Sequence, residues 1–425
     1  MKCLLLSTFE QQGGAARSAH RLYRSLSQMR VDSRMLVQYK KSADPQVLGP
    51  KGLLDRLGAG IRPYLDALPL FCYRSRLSPP WSLAWLPKEI SPDVASYSPD
   101  LIHLHGVGHG FLPLAAISSL PGPLIWTLHD SWAFTGGCHL PGACELYHAN
   151  CGRCPQLNAR HEYDLSRWGW NRKTNCWPKL DVTFVAPSRW MAQCARSSSL
   201  LNSMPIEVIP NGIDSLCFAP GDRATARDIL GLPQKGLVLL YGASSFTRDD
   251  NKGFALLKSA LSLVVGGLRQ KGLTVVFFGD PNCRETEIEG IPVRSYGSIE
   301  ADEKLISLYR SADLFVLPSL QENLPNTVME AMACGTPCAA FNVGGVGDLI
   351  THAENGYLAK VADVRELAEG ITWMMDDPDR RAILGRKARK TIEVGFSLVE
   401  VAERHLALYR RVLDKSRHTT DRVKD

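Results

Sequence analysis

The sequence predicts an α/β fold with two parallel sheets, and three observations point to it. Short apolar runs alternate with stretches of helical periodicity through most of the 425 residues, the pattern of βαβ units with helices on both faces of a sheet. The pattern is interrupted near the middle by "IEVIPNGID", a short apolar run followed by turn chemistry, at residues 206–214. The length of the chain also suits two full domains. We therefore expect two domains of similar design, with a boundary near residue 205.

Composition and charge limit the class of protein. With 45% hydrophobic and 22% charged residues, the chain has the composition of an ordinary globular protein. The basic residues behind the formal charge of +6 are scattered along the sequence, which favours anionic partners such as nucleotides, phosphates or membrane surfaces over nucleic acid. No apolar segment reaches the roughly 20 residues that a membrane-spanning helix needs. The opening "MKCLLLSTFEQQGG" is too short for a signal peptide and reads as a first strand, so we expect a cytoplasmic protein with reduced thiols.

The first half of the chain carries apolar runs that are predicted strands. In order they are KCLLLSTF, SRMLVQY, DLIHLHG, PLIWTLHD and VTFVAPS. Between the first two lies "AARSAHRLYRSLSQM", which has the periodicity of an amphipathic helix. Gly13 and Gly14 stand just before this helix, where a glycine backbone lets a ligand approach the helix's positive end.

The segment from Lys51 to Leu77 mixes apolar residues with arginines at loosely helical spacing. The interpretation we favour is a pair of surface helices packed on the first domain. The alternative is an amphipathic face that touches an anionic membrane surface. Gly58, Gly60 and Pro63 are expected to interrupt a long helix, which counts against the alternative.

The second half of the chain repeats the alternation of strands and helices. Its predicted strands are GLVLLYGAS, LTVVFFGD, IPVRSYG, DLFVLPS and PCAAFNV. "FSLVEVAERHLALYRRVL" is a predicted helix near the end of the chain. We expect a first domain at residues 1–205 with a cysteine-rich insert at 138–154, a second domain at 206–395, and a C-terminal helix and polar tail at 396–425 that return to the first domain.

Two carboxylates lie in one strand–loop–helix–strand unit of the second half, Leu317 to Phe341. Glu322 falls in the loop at the carboxyl end of a parallel strand, where open α/β sheets bind ligands. Glu330 falls in the helix, whose free N-terminal amides favour a phosphate. Glu330 could then accept hydrogen bonds from a ribose, and Glu322 from a group beyond the diphosphate. The alternative is two unrelated acids at a helix entry.

The segment "ENLPNTVMEAMACGTP" resembles the E-x7-E region of the GT-B-fold retaining glycosyltransferases of family 4. Other segments resemble motifs of that family in the expected order: VAPSRWM, VIPNGID, NKGF and GGVGDLI. The resemblance covers nearly the whole chain. It implies two Rossmann-like domains with a cleft between them and a C-terminal helix that crosses back. It also implies a nucleoside-diphosphate-sugar donor bound by the second domain.

The resemblance assigns roles to residues at the donor. Glu330 is expected to hold the nucleotide ribose and Glu322 the hydroxyls of the donor sugar, while the amides of Asn323 and Leu324 serve the sugar and phosphate. Lys252 would neutralise the diphosphate. Positive charge at that point stabilises the leaving group as the glycosidic bond breaks. The alternative for Lys252 is a solvated loop lysine.

Further residues are assigned by the same resemblance. Arg248 is the expected second cation at the diphosphate. The loop of Gly13 and Gly14 would lie across the cleft from the donor, where it meets phosphate or acceptor. His129 resembles the family histidine near the donor sugar, and the alternative is a hydrogen-bonded histidine that closes a strand. His103 and His105 are expected to be structural.

The family mechanism implied here is a front-face, retaining transfer. The leaving phosphate helps to deprotonate the acceptor, so no carboxylate is assigned as a nucleophile. No cofactor or metal is expected to be required for catalysis. The Asp-Pro-Asp at residues 377–379 is interpreted as a turn and helix cap instead of a metal-binding pair.

A cluster of cysteines follows His129 in "GGCHLPGACELYHANCGRCPQL". Cys138, Cys144, Cys151 and Cys154 could form a structural zinc site in a reduced compartment; disulfides and free buried thiols are the alternatives. The stretch resembles a subgroup of family 4 enzymes associated with bacterial surface polysaccharides, colanic-acid-type enzymes included. We expect a structural cross-link that shapes the acceptor pocket.

The expected function is therefore a retaining glycosyltransferase. It would move a sugar from a nucleoside-diphosphate donor to a hydroxyl of a glycan, lipid-linked at the inner membrane face, in surface polysaccharide biosynthesis. A non-catalytic scaffold that binds nucleotide or glycan is the alternative, and an epimerase or phosphorylase a more distant one. The base, the sugar, the acceptor and the linkage do not follow from the sequence.

Overall fold

The computed structural model describes residues 1–77 and 80–422, with the backbone alone for residues 418–422. The chain divides into two compact units. The first comprises residues 1–210 together with the chain from residue 401 onward, and the second comprises residues 211–400. The sequence boundaries were expected near residues 205 and 395.

The first unit contains a parallel sheet of seven strands in its described residues, ordered β3-β2-β1-β4-β5-β6-β7. Its buried, apolar strands match the expected runs because a strand covered on both faces has no solvent side. The strands are β1 Lys2–Phe9, β2 Asp32–Tyr39, β3 Val47–Leu48, β4 Leu101–Leu104, β5 Leu124–Thr127, β6 Val182–Ala186 and β7 Ile206–Val208. The helices are α1 Gly14–Gln28, α2 Leu53–Asp66, α3 Ser91–Tyr97, α4 Leu114–Ser118, α5 Leu165–Cys176 and α6 Arg189–Ser197.

The second unit also contains seven described strands, ordered β10-β11-β9-β8-β12-β13-β14. All pairs are parallel except the edge pair β10 and β11. The strands are β8 Val238–Gly242, β9 Thr274–Phe278, β10 Glu287–Ile288, β11 Ile291–Ser295, β12 Leu314–Leu317, β13 Cys338–Phe341 and β14 Tyr357–Ala359. The helices are α7 Arg223–Leu230, α8 Phe254–Gln270, α9 Asp302–Ser311, α10 Asn326–Ala333, α11 Val364–Asp376 and α12 Pro378–Gly395.

The last helix, α13 Leu398–Arg422, confirms the helix predicted near the chain end. From Val401 it belongs to the first unit, where Leu408 and Tyr409 pack in one cluster with residues of β1 and β4–β6. Among the described helices, none is long and apolar enough to cross a membrane. The two parallel α/β sheets confirm the predicted fold class.

Two local expectations have clear outcomes. Asp377 caps α12, because its carboxylate accepts a hydrogen bond of 2.9 Å from the amide of Arg380. The Asp-Pro-Asp is therefore a turn and helix cap, as interpreted. The expected interruption of the 51–77 segment is wrong, since α2 runs unbroken through Gly58, Gly60 and Pro63.

Candidate active site

The strand–loop–helix unit of β12 and α10 places Glu322 in the loop and Glu330 in the helix, as predicted. The carboxylate of Glu322 accepts a hydrogen bond of 2.8 Å from Nζ of Lys252. Both side chains retain access to solvent, with exposures of 22% for Lys252 and 17% for Glu322. Glu322 and Lys252, which lies in the loop after β8, thus present a paired anion and cation at the carboxyl edge of the sheet, where ligands bind in such folds.

The turn that carries Lys252 is fixed by the following glycine. Gly253 has a φ of +66°, and a Cβ at this position would overlap the carbonyl oxygen of Pro318 at the end of β12. The amide of Leu320 also donates to the carbonyl of Asn251 at 2.8 Å. Only glycine allows the two backbones to approach this closely. The Lys-Gly pair therefore brings Lys252 against the Glu322 loop.

The charge of Lys252 is secured by its neighbours. Burial disfavours the ammonium, but the carboxylate of Glu322 outweighs that effect and leaves the pKa of Lys252 above its ordinary value. Lys252 is therefore a cation throughout the neutral pH range. A ligand that carries negative charge would meet a fully protonated lysine here.

Glu330 is buried in α10, and its orientation is set from a neighbouring helix. The hydroxyl of Tyr309, in α9, donates to Oε2 of Glu330 at 2.9 Å. The ring of Tyr309 packs edge-on against Phe278 and Phe315 of the sheet. The phenol is thereby held in place, and the carboxylate has a defined direction before any ligand arrives.

The other predicted donor residues lie around the same strand ends. Arg248 is exposed in the loop after β8, and Leu324 is buried beside the start of α10. Asn323 precedes it in the loop that carries Glu322. The Gly-rich turn after β13 joins this loop, since the amide of Gly345 donates to the carbonyl of Glu322 at 3.2 Å.

In the first unit, Gly13 and Gly14 mark the junction of β1 and α1. Gly13 is exposed with a φ of +84°, and a Cβ there would meet no atom within 4 Å. The glycine is therefore needed for the turn and not for close packing. The junction leaves the start of α1 open to solvent.

His129 follows β5 and is linked to a histidine of the neighbouring strand. Its Nε2 lies 3.0 Å from Nδ1 of His105, which follows β4. The other ring nitrogen of His105 is buried without a hydrogen-bond partner among the described residues. Burial lowers the pKa of His129 to about 4 and holds the pKa of His105 well below its ordinary value. Both imidazoles are therefore neutral at pH 7.

His103 differs from His105 because both of its ring nitrogens are satisfied. Nδ1 lies 2.7 Å from the hydroxyl of Tyr409, and Nε2 lies 2.8 Å from the hydroxyl of Thr127. This fits the structural role expected for His103. His105 instead has one ring nitrogen against His129 and the other without a hydrogen-bond partner among the described residues.

A second polar group adjoins His129 and was not anticipated. Asp130 accepts from the amide of Trp132 and lies 2.7 Å from Nδ1 of His139, whose Nε2 lies 2.8 Å from the hydroxyl of Ser82. Burial would raise the pKa of Asp130, but His139 outweighs it and leaves that pKa low. Asp130 is thus an anion at neutral pH. His105, His129, Asp130 and His139 border one small pocket.

The cysteine insert brings its thiols together without forming a metal site. Cys138, Cys144, Cys151 and Cys154 border one small pocket. All are free thiols, so the disulfide alternative is not formed. However, in residues 1–77 and 80–422 no group of three or more His, Cys, Asp or Glu side chains is arranged to hold a metal ion. The predicted zinc ligand set is therefore not formed by the side chains as they stand.

Tyr309, His105, Asp130 and His139 are candidate site residues that sequence reasoning missed. A signal existed for His105, because "LIHLHG" and "TLHD" end adjacent strands of one sheet and so place their histidines at one edge. Tyr309 gave no such signal. It lies in an ordinary amphipathic helix, and only the packing of α9 beside α10 brings it to Glu330.

Comparison with known families matches both units. The sequence model of the family "Glycosyltransferase Family 4" matches residues 12–215, and that of "Glycosyl transferases group 1" matches residues 222–391. The chain is 31% identical over 217 residues to a D-inositol 3-phosphate glycosyltransferase of Rhodococcus jostii, and 27% identical over 325 residues to the sulfoquinovosyl transferase SQD2 of Arabidopsis thaliana. These matches cover 48% and 74% of the chain, but 47% and 57% of the two relatives. The chain thus spans about half the length of the curated relatives it matches.

Solved structures share the fold over the full length. A sucrose-phosphate synthase from Thermosynechococcus elongatus aligns with a TM-score of 0.70 and 20% identity, covering 98% of this chain and 100% of that one. Anabaena HepE in complex with UDP-glucose aligns with a TM-score of 0.64 and 18% identity, covering 97% of this chain and 100% of that one. At such identities the likeness shows the fold, which is of GT-B type. Each of the two units is thus matched by the model of a glycosyltransferase domain, over residues 12–215 and 222–391.

Proposed function

We propose that this protein is a retaining glycosyltransferase whose second unit binds a nucleoside-diphosphate sugar. The observation that carries the proposal is the hydrogen bond from Lys252 to Glu322, which lies on the same strand–helix unit as Glu330. In this assignment Glu330 accepts from the ribose hydroxyls, and Lys252 and Arg248 neutralise the diphosphate. The amides of Asn323 and Leu324 bind the phosphate and sugar.

The ion pair explains how the donor is recognised. Without a donor, Lys252 and Glu322 neutralise each other at 2.8 Å. A diphosphate supplies a new partner for the ammonium, and the sugar hydroxyls supply new donors for the carboxylate. As the glycosidic bond breaks, negative charge grows on the leaving diphosphate, and the fixed ammonium stabilises that change. Both side chains thus exchange one hydrogen-bonding partner for another when the donor binds.

His129 acts in this proposal as a neutral hydrogen-bonding group near the donor sugar. With a pKa of about 4 it is a weak base at neutral pH, so we assign it no proton abstraction. The ring of His105 lies 3.0 Å away and restrains the orientation of the His129 ring. The exposed turn at Gly13 and Gly14 would meet phosphate or acceptor. No residue is assigned as a nucleophile.

We propose a hydroxyl of a lipid-linked glycan as the acceptor, in surface polysaccharide biosynthesis at the cytoplasmic membrane face. The support is the resemblance of the "HDSWAFTGGCH" and "CGRCPQL" segments to the surface-polysaccharide subgroup. The names of the inositol-phosphate relatives favour a phosphorylated polyol as a second candidate. Assays with one donor and each acceptor in turn separate the two candidates. Only the true acceptor should raise the rate of donor consumption above the rate of donor hydrolysis by water.

Calorimetric titration with UDP and GDP in parallel tests the donor site. We expect one nucleotide to bind, and Glu330→Gln to weaken that binding by about tenfold because an amide is a poorer acceptor for ribose hydroxyls. Glu322→Gln should bind the nucleotide at least as well, since it releases Lys252, yet turnover should fall. If neither nucleotide binds to the wild type, the donor assignment is wrong and a non-catalytic scaffold becomes the better interpretation.

A further inference from the structure

Helix α2 of the first unit turns its apolar side chains towards solvent. Leu54 is 82% exposed and Tyr64 is 76% exposed. In the short 3-10 turn Leu68–Cys72 that follows, Phe71 is 69% exposed. The α2 face, as we name it, consists of the exposed side chains of Leu53, Leu54, Leu57, Ile61, Tyr64, Leu65, Leu68 and Phe71. No other segment in the described residues concentrates exposed large apolar side chains to this degree.

The spacing of these residues forms one continuous stripe. Leu53, Leu57, Ile61 and Tyr64 recur at steps of four, four and three, the interval that keeps side chains on one side of a helix. With about 100° between successive residues, the apolar residues of α2 fall within a sector of about 120°. The exposure is therefore a property of one helix face and not of scattered residues.

The opposite side of α2 is attached to the unit by polar contacts. Arg62 donates to the carbonyls of Gly110 at 2.6 Å and of Leu86 at 3.0 Å. Asp66 is buried and accepts from the amide of Leu83 at 3.0 Å. An ordinary surface helix buries its apolar stripe and exposes its polar one. Helix α2 does the reverse, so its apolar face is left for another partner.

Pro63 is part of this attachment. A proline inside a helix cannot bond to the carbonyl four residues earlier, which here is that of Ala59. That carbonyl accepts instead from the hydroxyl of Tyr39 at 2.7 Å and lies 3.5 Å from Nε2 of Gln38. The proline thus frees an acceptor that ties the helix to β2. The same contact explains why the helix is not broken there.

The charges near the α2 face are mainly basic. Lys51, Arg56 and Arg74 are exposed, and Arg76 is partly exposed. Asp55 is the one exposed acid between residues 51 and 77, and its carboxylate accepts from the amide of Gly52 at 3.2 Å. An apolar stripe with flanking cations matches an anionic lipid surface. A second copy of the chain would instead bring these cations together, with Asp55 as the one exposed acid of each segment to pair them.

We propose that the α2 face docks this protein on an anionic lipid bilayer. The apolar side chains enter the boundary between headgroups and acyl chains, and the basic residues contact anionic headgroups. This contact would bring the first unit to a lipid-linked acceptor, and in that respect it rests on the proposed function. The binding itself depends only on the surface, so it is measured without donor or acceptor.

Vesicle sedimentation tests the proposal, with vesicles of phosphatidylcholine alone and of equal parts phosphatidylcholine and phosphatidylglycerol. We expect binding to the anionic vesicles, weakened by salt, and about a tenfold loss in the double variant Leu54→Gln, Phe71→Gln. The matched control is Leu216→Gln with Ile229→Gln, which are 89% and 67% exposed in the second unit. The control should bind vesicles as the wild type does.

Two further measurements separate the outcomes. Nucleotide titration of each variant shows whether it is folded and keeps its donor site, so a failed donor site is not mistaken for failed docking. Light scattering after gel filtration, without lipid, reports self-association. The proposal is overturned if the wild type does not bind anionic vesicles, or if the α2 double variant binds them as well as the control double variant does. It is also overturned if the α2 substitutions convert a dimer into monomers.

Discussion

At the scale of single residues, the candidate donor site depends on partners that are distant in sequence. Lys252 and Glu322 are separated by 70 positions. The hydrogen bond of 2.8 Å between them forms because the backbone contact of Leu320 with Asn251 holds their two loops together. The E-x7-E motif predicted that Glu322 and Glu330 would share one unit. It could not indicate that Tyr309 orients Glu330, because that contact arises from the packing of one helix beside another.

The contact of Tyr309 with Glu330 leads to a prediction about nucleotide affinity. Tyr309→Phe keeps the ring and its packing but removes the hydrogen bond to the carboxylate. Because hydrogen bonds to charged groups contribute about 1.5–3 kcal/mol, we expect the Kd of the bound nucleoside diphosphate to rise about tenfold or more. Isothermal titration calorimetry measures the change.

The control for Tyr309→Phe is Tyr296→Phe in the same unit. The hydroxyl of Tyr296 donates to the carbonyl of Leu230, away from the candidate site. This variant also loses one phenol, so it reports any general loss of stability. Equal affinities in Tyr309→Phe and the wild type would show that Glu330 needs no orienting group or is not a nucleotide ligand.

The histidines show the limits of reasoning from single residues. His129 was predicted to lie near the donor sugar, and that role remains a prediction. The structural role of His103 follows from two satisfied ring nitrogens. His105 looked equivalent in "LIHLHG", because residues two positions apart lie on the same face of a strand, yet His105 follows the last residue of β4. Only the three-dimensional register places it against His129.

At the scale of elements, glycines decide how closely two segments meet. Gly253 begins α8 with a φ of +66° and leaves no room for a side chain against Pro318. We expect Gly253→Ala to lower the free energy of unfolding of the second unit by roughly 3 kcal/mol. Nucleotide binding should be lost as well, because Lys252 moves with the turn. Urea denaturation followed by circular dichroism measures the first effect.

The same helix offers the control for Gly253→Ala. Gly266 lies in the interior of α8, exposed, and a Cβ added there would meet no atom within 4 Å. Alanine there should stabilise the helix by about 0.5–1 kcal/mol. If both substitutions changed the free energy of unfolding in the same direction, the close approach at Pro318 would not be what fixes the turn.

The cysteine insert is a second element with a testable chemistry. Burial raises the pKa of Cys151 and Cys154 to about 11, so about one thiol in a thousand is ionised at pH 8. We expect these thiols to react with an alkylating reagent far more slowly than the exposed Cys72. Mass spectrometry of peptides at successive times measures the difference.

Zinc analysis of the same sample decides the metal question. The four thiols border one cavity but are not arranged as ligands, so we expect less than stoichiometric zinc in protein purified without added metal. A content near one zinc per chain would contradict the arrangement of the thiols and restore the site predicted from their spacing. The spacing in the sequence correctly predicted that the cysteines lie together, but spacing does not determine the bond angles that a metal requires.

Long, strongly patterned elements were the predictable ones. The main strands of both sheets and helix α1 follow from apolar runs and helical periodicity. The two- and three-residue strands β3, β10 and β14 did not, because so few residues carry no periodicity. Helix α2 was misjudged for another reason. Its proline is tolerated through a tertiary contact to Tyr39 that the sequence does not display.

At the scale of the whole molecule, the two units differ in their titratable groups. His352 is the one histidine in the sequence of residues 211–400. The first unit buries a group of histidines in contact with one another, among them His103, His105 and His405. Burial lowers the pKa of His109, His129 and His405 to about 4. Lowering the pH should therefore destabilise the first unit before the second.

The sign of the pH effect follows from linkage. The folded pKa values lie near 4, below the value of about 6.5 in an unfolded chain, so the unfolded state binds more protons between these limits. Stability is complete above pH 6.5 and is lost as the pH falls towards 4. Each such histidine contributes a slope of up to about 1.4 kcal/mol per pH unit.

Tryptophan fluorescence reports this loss selectively, because of the nine tryptophans Trp373 alone lies in the second unit. We expect the urea midpoint of the fluorescence transition to fall steeply from pH 7 to pH 5. His405→Gln removes one buried titrating group and should reduce the slope by about one proton. A midpoint that is constant over this range would mean that the histidines are charged in the folded unit. In that case a neutral hydrogen-bonding role for His129 would have to be abandoned.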